Sequence, residues 1–385
     1  MTGPLSIATR LTKPWSDGAG PITPPIQQTS LFAFDDYAAF EARMMGASDE
    51  PLYTRVQNPT VAAFESMMAD LEGGAAAVAF ASGMGAISAT LLALALARPG
   101  ARVACVEHVY PDAYRLLERV LRPMGVEVSY HSPEAFAEDA ELLRGVDVAY
   151  LESPTSMVLD VIDLPRAAAH ARRHGTMTVL DNSWATPVHQ RPIESGIDVV
   201  VHSASKYISG HSDTVAGVVV GTAEVVGKIR DLTLPLLGAK LAPFEAWLLV
   251  RGLRTLVPRM RMHEATANLF VDRLARRPEV TRVRSPGPNA TPGLTGRSGL
   301  LSIELAEGID IPRLADGLKH FRLGVSWGGF ESLIVPAAIT LKQSGEKNAP
   351  QRFGVSPRLV RLSLGLEDAE DLWADLAAAL EVAAA

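Results

Sequence analysis

The sequence predicts an α/β fold: a large, mostly parallel sheet covered by helices on both faces, followed by a smaller α+β domain. Three observations carry this. Between residues 76 and 220, short apolar runs rich in β-branched residues alternate with helical patterns, as parallel strands joined by crossover helices require. Beyond residue 250 that alternation gives way to a second set of strand-like runs, closed by an Ala-rich helical segment at 369–385. At 385 residues, 48% of them hydrophobic, the chain is longer than one core usually serves.

Residues 1–57 read as an irregular arm. Pro21, Pro24 and Pro25 disfavour regular helix. Ile26, Leu31, Phe32, Phe34 and Tyr37 offer apolar anchors, so the arm is expected to dock on a surface such as that of a neighbouring subunit. The α/β domain is expected over 58–250. It opens at Asn58-Pro59-Thr60, a cap residue followed by proline at the first helical position. Val61, Phe64, Met67, Met68 and Leu71 follow at helical spacing, and Gly73-Gly74 stops the helix.

Strands are then predicted over 76–81, 102–106, 146–151, 177–181, 199–202 and 217–220, with helices over 84–97, 112–121, 164–174 and 222–231. Helical stretches at 242–251 and 258–276 lead into the α+β domain, residues 251–385. Its strands are predicted over 280–284, 300–305, 323–326 and 359–364, and its last helix over 369–385. The Pro/Gly-rich loop 285–299 is expected to be exposed.

Net charge is −7 without a basic run, which argues against nucleic acid or an anionic membrane as partner. Cys105 is the single cysteine, so an intramolecular disulfide and a Cys-rich metal site are both excluded. It sits in an apolar strand and reads as a packed thiol. No His pair has zinc-ligand spacing on one helix, and no metal is expected. The N-terminus lacks a signal-peptide pattern, and the longest apolar run, 86–97, is shorter than the roughly 20 residues a bilayer span needs. The reading is a soluble, cytoplasmic protein.

The chemistry concentrates at predicted strand ends, where ligands of such sheets bind. Lys206 lies in Ser203-Ala204-Ser205-Lys206-Tyr207, just past an apolar strand. A lysine among small hydroxyl residues can form a Schiff base with a carbonyl cofactor, and Asp181, ending an earlier strand, can hold that cofactor's ring nitrogen protonated. These are the protein parts that pyridoxal phosphate (PLP) needs. Taken alone, Lys206 would read as a surface lysine and Asp181 as a helix cap. Ser82-Gly83-Met84-Gly85-Ala86 follows a strand and opens a helix, so its backbone N–H groups can cradle a phosphate; alone it is equally a tight turn.

Six motifs occur in order: Tyr53-Thr54-Arg55, Ser82-Gly83-Met84-Gly85-Ala86, Asp181-Asn182-Ser183-Trp184, Ser203-Ala204-Ser205-Lys206-Tyr207, Ser326-Trp327-Gly328-Gly329-Phe330-Glu331, and Arg361-Leu362-Ser363-Leu364-Gly365. Together, over nearly the whole chain, they resemble the Cys/Met-metabolism family of PLP enzymes. The resemblance implies a fold-type I PLP-dependent enzyme, a homotetramer whose dimers share active sites. It implies Lys206 as Schiff-base residue and proton acceptor, with Asp181 on the ring nitrogen. Gly83, Met84, Ser203 and Ser205 would hold the phosphate, joined by Tyr53 and Arg55 of a neighbouring subunit. Tyr110 would stack on the ring and assist proton transfer to the leaving sulfur. Arg361 would clamp the substrate carboxylate, with Ser326 and Trp327 beside it.

Departures from the family pattern bear on the substrate. Ser156 replaces an asparagine common beside the ring hydroxyl, Asp112 stands near the cysteine of methionine γ-lyases, and Val325 stands where γ-lyases usually carry Glu. Trp327 is more typical of bacterial β-lyases. The resemblance thus implies a carbon–sulfur β-lyase cleaving L-cystathionine, with cystathionine γ-synthase, cystathionine γ-lyase or a lyase for another sulfur amino acid as alternatives.

Overall fold

A computed structural model describes residues 5–15, 19–343 and 348–385. Residues 1–4 and 16–18 of the expected arm lie outside it. The arm is not wholly irregular: it contains α1 (Ile7–Leu11) and α2 (Tyr37–Met44). Ser6 caps α1 by accepting from Thr9 N–H, and Asp36 caps α2 by accepting from Ala39 N–H. Pro21, Pro24 and Pro25 lie between the helices, so they interrupt neither. The arm is tied to the body where Asn58 Nδ2 donates to Gln27 O at 2.9 Å and Thr60 Oγ1 donates to Pro25 O at 3.0 Å. Its anchors Ile26, Leu31 and Tyr37 remain exposed on the single chain.

Helix α3 (Pro59–Glu72) begins and ends as expected: Asn58 accepts from Thr60 N–H, and Gly73 closes it at φ 78. The large sheet then builds from β1 (Ala76–Phe80), α4 (Gly83–Ala95), β2 (Arg102–Val106), α5 (Pro111–Leu116), β3 (Glu127–His131), α6 (Ala135–Glu138), β4 (Val148–Glu152), α7 (Leu164–His174), β5 (Met177–Asp181), α8 (Thr186–His189), β6 (Val199–Ser203), β7 (Gly217–Gly221) and α9 (Ala223–Leu237). A π-helical turn, Leu117–Leu121, continues α5. The strand order is β1-β7-β6-β5-β4-β2-β3. The strands from β6 to β3 are parallel, and β7 runs antiparallel to both its neighbours.

Strand β3 was not expected from the sequence. It is an edge strand, only partly covered, so it mixes Glu127, Ser129 and His131 with Val128 and Tyr130 instead of forming an apolar run. One core gathers Phe80, Ile87, Leu91, Leu117, Leu164 and Ile229 around the sheet. A second buries Phe64 and Met68 of α3 against Leu249 and Leu253 of α10 (Pro243–Arg254). Cys105 is buried in the first layer, and burial pushes its thiol well up.

Helix α11 (Leu256–Leu274) links two cores: Leu256 and Met260 complete the second layer, whereas Phe270 and Leu274 lie in a third. The division expected at residue 250 therefore falls within α10, ahead of the change of core. The third core lies under a smaller sheet. Its elements are β8 (Val280–Arg284), β9 (Leu300–Leu305), α12 (Ile311–Gly317), β10 (Arg322–Leu323), β11 (Leu333–Pro336), α13 (Ala337–Leu341), α14 (Ala349–Arg352), β12 (Leu359–Ser363) and α15 (Ala369–Ala384). Their strand order is β10-β11-β12-β9-β8.

Two expectations fail in this region. The predicted strand 323–326 shrinks to the two residues of β10, because the chain turns at Ser326 (φ 79) and Gly328 (φ 86). The loop 285–299 is partly buried: Thr291 Oγ1 donates to Ile162 O at 2.8 Å, and Leu294 packs with Trp184. Its prolines and glycines set the backbone path, not its exposure.

Candidate active site

The carboxyl ends of β4, β5 and β6 converge on one cleft. They place Glu152 and Asp181 as register partners, with Ser203 at the next strand end. The turn after β6 holds Lys206: its N–H donates to Ser203 O at 3.1 Å, and its carbonyl accepts from Gly210 N–H at 2.8 Å. Lys206 Nζ donates to Ser326 Oγ at 2.5 Å and lies 5.5 Å from the Trp327 ring centroid. Trp327 also packs 5.4 Å from the Tyr207 ring, so it serves core and cleft together. On β12, Arg361 Nη2 donates to Ser326 O at 3.2 Å. Ser326 thus joins a lysine from the large sheet to an arginine from the small one.

Gly328 permits this approach. A Cβ there would lie 2.8 Å from Tyr207 N and 3.2 Å from Lys206 Cα, at a backbone φ of 86 that L side chains rarely adopt. The chain leaves strand geometry at Ser326 for the same reason.

Burial, then the nearby Arg361 guanidinium, lowers the Lys206 ammonium to about 8, with Asp181 opposing. Burial also lowers Arg361 to about 10. Burial raises Asp181, although hydrogen bonds from Ser183 and the charges of His202 and Lys206 pull the other way. Glu152 is pushed well up by burial and by Asp181. Two buried carboxylates side by side make a place for a cation, and a protonated ring nitrogen would suit it. The neutral Lys206 amine is the nucleophile toward a carbonyl. In cofactor-free protein, capture of PLP is therefore expected to speed up as pH rises through about 8 and then level off. Stopped-flow absorbance at stepped pH checks this; a rate still climbing near the ordinary lysine value of about 10.4 would contradict it.

At the start of α4, Ser82 Oγ accepts from Gly85 N–H at 2.9 Å, and Ser82 O accepts from Ala86 N–H at 3.1 Å. The N–H groups of Gly83 and Met84 are left for a ligand, at a helix end that favours anions. A Cβ on Gly83 would sit 2.8 Å from Ser203 Oγ, so glycine brings this helix end against the Ser203 side chain. The residues present therefore fit a phosphate and a pyridine ring. Ser205 differs from expectation: its hydroxyl donates to Ala216 O at 3.1 Å and accepts from Ala216 N–H at 2.9 Å. A phosphate must draw that proton away from Ala216.

Tyr110 is 41% exposed at the cleft, and its N–H donates to Glu152 Oε2 at 2.7 Å. Its hydroxyl donates to Asp112 Oδ2 at 3.1 Å. Tyr53 and Arg55 are not brought to Lys206 on the single chain. The Arg55 guanidinium lies 5.0 Å from the Tyr53 ring centroid, and Arg230 Nη1 donates to Val56 O at 3.2 Å beside them. Ser156 packs by its backbone, donating N–H to His108 O at 2.9 Å, and Val325 is 82% exposed. The sequence reading gave neither Glu152 nor Ser183 a role in the site. Ser183 Oγ accepts from Ser203 N–H at 2.7 Å and so ties β5's end to β6's. A charged residue closing the apolar run Val148–Leu151 was the available signal for Glu152.

Among the described residues, no group of three His, Cys, Asp or Glu could hold a metal ion. The sequence profile of the Cys/Met-metabolism PLP-dependent enzymes matches residues 9–381. The L-methionine gamma-lyase of Pseudomonas putida is 38% identical over 382 residues, covering 96% of this chain and 94% of that protein. The cystathionine beta-lyase of Lactococcus lactis subsp. cremoris is 35% identical over 376 residues, covering 94% of each. The crystal structure of cystathionine gamma synthase from Xanthomonas oryzae pv. oryzae superposes with a TM-score of 0.89 at 32% identity, covering 99% of both chains. The chain belongs to the Cys/Met-metabolism family of PLP-dependent enzymes, and its cofactor is pyridoxal 5'-phosphate.

Proposed function

We propose that this enzyme is a carbon–sulfur β-lyase that cleaves L-cystathionine to homocysteine, pyruvate and ammonia. The observation that carries the reading is the continuous contact Lys206–Ser326–Arg361 facing Asp181 across the cleft. PLP, when bound, supplies an electron sink for the pair left at the substrate α-carbon. Arg361 binds the α-carboxylate through its guanidinium, with Ser326 and Trp327 beside it. Lys206, whose ammonium is lowered to about 8 by burial, takes the α-proton. Asp181 keeps the ring nitrogen protonated, and Tyr110 covers the ring and returns a proton to the departing sulfur.

Gly83, Met84, Ser203 and Ser205 hold the phosphate. Tyr53 and Arg55 of a neighbouring subunit complete it, so the working species is a homotetramer of dimers that share sites. The exposed Ile26, Leu31 and Tyr37 of the arm support that assembly.

A second reading, γ-cleavage of L-methionine, is favoured by the similarity to the Pseudomonas putida enzyme. The Asp112 carboxylate beside the Tyr110 hydroxyl favours the first. An ammonium on homocysteine can pair with it, and methanethiol offers nothing in exchange. Comparing kcat/KM for the two substrates tests the choice. A preference of about tenfold or more for L-cystathionine is expected, as one charged contact is worth. A preference for L-methionine overturns the reading.

A further inference from the structure

Asp112 can pair with a distal substrate ammonium, and its position toward Tyr110 is also specific. It is the second residue of α5, directly after the turn that carries Tyr110. One carboxylate oxygen, Oδ2, accepts from the Tyr110 hydroxyl at 3.1 Å. The other, Oδ1, accepts from Arg115 Nη1 at 2.5 Å, one turn further along. Arg115 Nη2 in turn donates to Gln343 Oε1, beyond α13. The phenol of Tyr110 is thus the last member of a chain of hydrogen bonds that begins at Gln343.

We propose that Asp112, itself held by Arg115, is a positioning residue that fixes the Tyr110 hydroxyl, keeps it protonated, and so readies it to protonate the departing sulfur. The inference rests on the carbon–sulfur lyase reading for the identity of that acceptor. In the step concerned the Tyr110 O–H bond breaks as an S–H bond forms, and solvent water restores the phenol. Three carboxyl groups face the hydroxyl: Asp112 from α5, Glu152 from β4 and Asp181 from β5. Arg361 of β12 is the cation that faces it. Burial, followed by Asp112, pushes the phenol up to about 12, so it stays neutral at any working pH. A conserved geometry without the charge should release part of that hold.

The test compares wild type with Asp112→Asn and Asp112→Glu, and with Arg115→Met, which frees the carboxylate from its support. In cofactor-free full-length protein, tyrosine ionisation is followed by ultraviolet difference absorbance after a pH jump, and Tyr110 is assigned by subtracting the Tyr110→Phe signal. In Asp112→Asn, Tyr110 is expected to ionise about one pH unit lower. In the holoenzyme, kcat for a sulfur amino acid without a distal ammonium is expected to fall about tenfold with KM little changed. Asp112→Glu recovers part of the loss, and Arg115→Met shows a smaller change of the same sign. Superimposable Tyr110 titrations for wild type and Asp112→Asn, or a change in KM alone, overturn the proposal. Should the wild type turn over no sulfur amino acid, the lyase reading fails, and the titration still decides whether Asp112 governs Tyr110.

Discussion

Replacing Lys206 with alanine is expected to lower steady turnover by at least about 1000-fold, within the range that a positioned acid–base group contributes. The residue combines two duties that no neighbour can assume. In the proposed mechanism its amine would hold the cofactor and also take the α-proton. The other nitrogen base facing the cleft, Arg361, stays protonated: burial brings it only to about 10, while Lys206 reaches about 8. The fold should survive, because the ammonium is already disfavoured by its burial and its one hydrogen bond is to Ser326. Steady-state rates, with thermal unfolding as the control, decide this. Retained turnover in a folded Lys206→Ala protein would contradict the assignment of the base.

Arg361→Leu is expected to carry the second largest effect. The guanidinium is fixed by its place in β12, paired to β11 and β9, and by its donation to Ser326 O. A rigid two-pronged donor matches a carboxylate in a way that lysine does not. Removing one partner of such a charged pair costs about 2–5 kcal/mol, which translates to a loss in kcat/KM of about 30-fold or more. KM for the amino acid should rise while PLP affinity stays near that of wild type, because Arg361 faces the substrate rather than the phosphate. Equal KM values for Arg361→Leu and wild type would place the carboxylate elsewhere.

The fold was most legible where the chain is buried on both sides. Arg102–Val106, Met177–Asp181 and Leu300–Leu305 are mostly buried runs rich in apolar residues, and their bounds agree with those read from the sequence. Helix α7 also matched from end to end, with Asp163 at its start and Gly175 at its close. Legibility failed where burial is one-sided or the backbone is bent for a purpose. Edge strand β3 lacks the apolar signature, and the region around Ser326 looks extended in sequence yet turns through a positive φ.

The site shows the same division. Lys206, Asp181, Ser326 and Arg361 stood out through ordered motifs, and the structure brings their elements to one cleft. The pairing of Glu152 with Asp181 depends on strand register, which spacing along the chain does not convey. The Tyr110–Asp112 contact depends on how α5 leaves its turn. The hydroxyl of Ser205, read as a phosphate donor, engages Ala216 through a backbone contact that only the sheet geometry creates.

The most direct test of the central claim is to incubate the PLP-loaded enzyme with L-cystathionine and identify the keto acid and thiol released. Pyruvate with homocysteine is expected, formed by wild type and not by Lys206→Ala. 2-Oxobutyrate with cysteine would contradict it and assign cleavage to the γ-carbon.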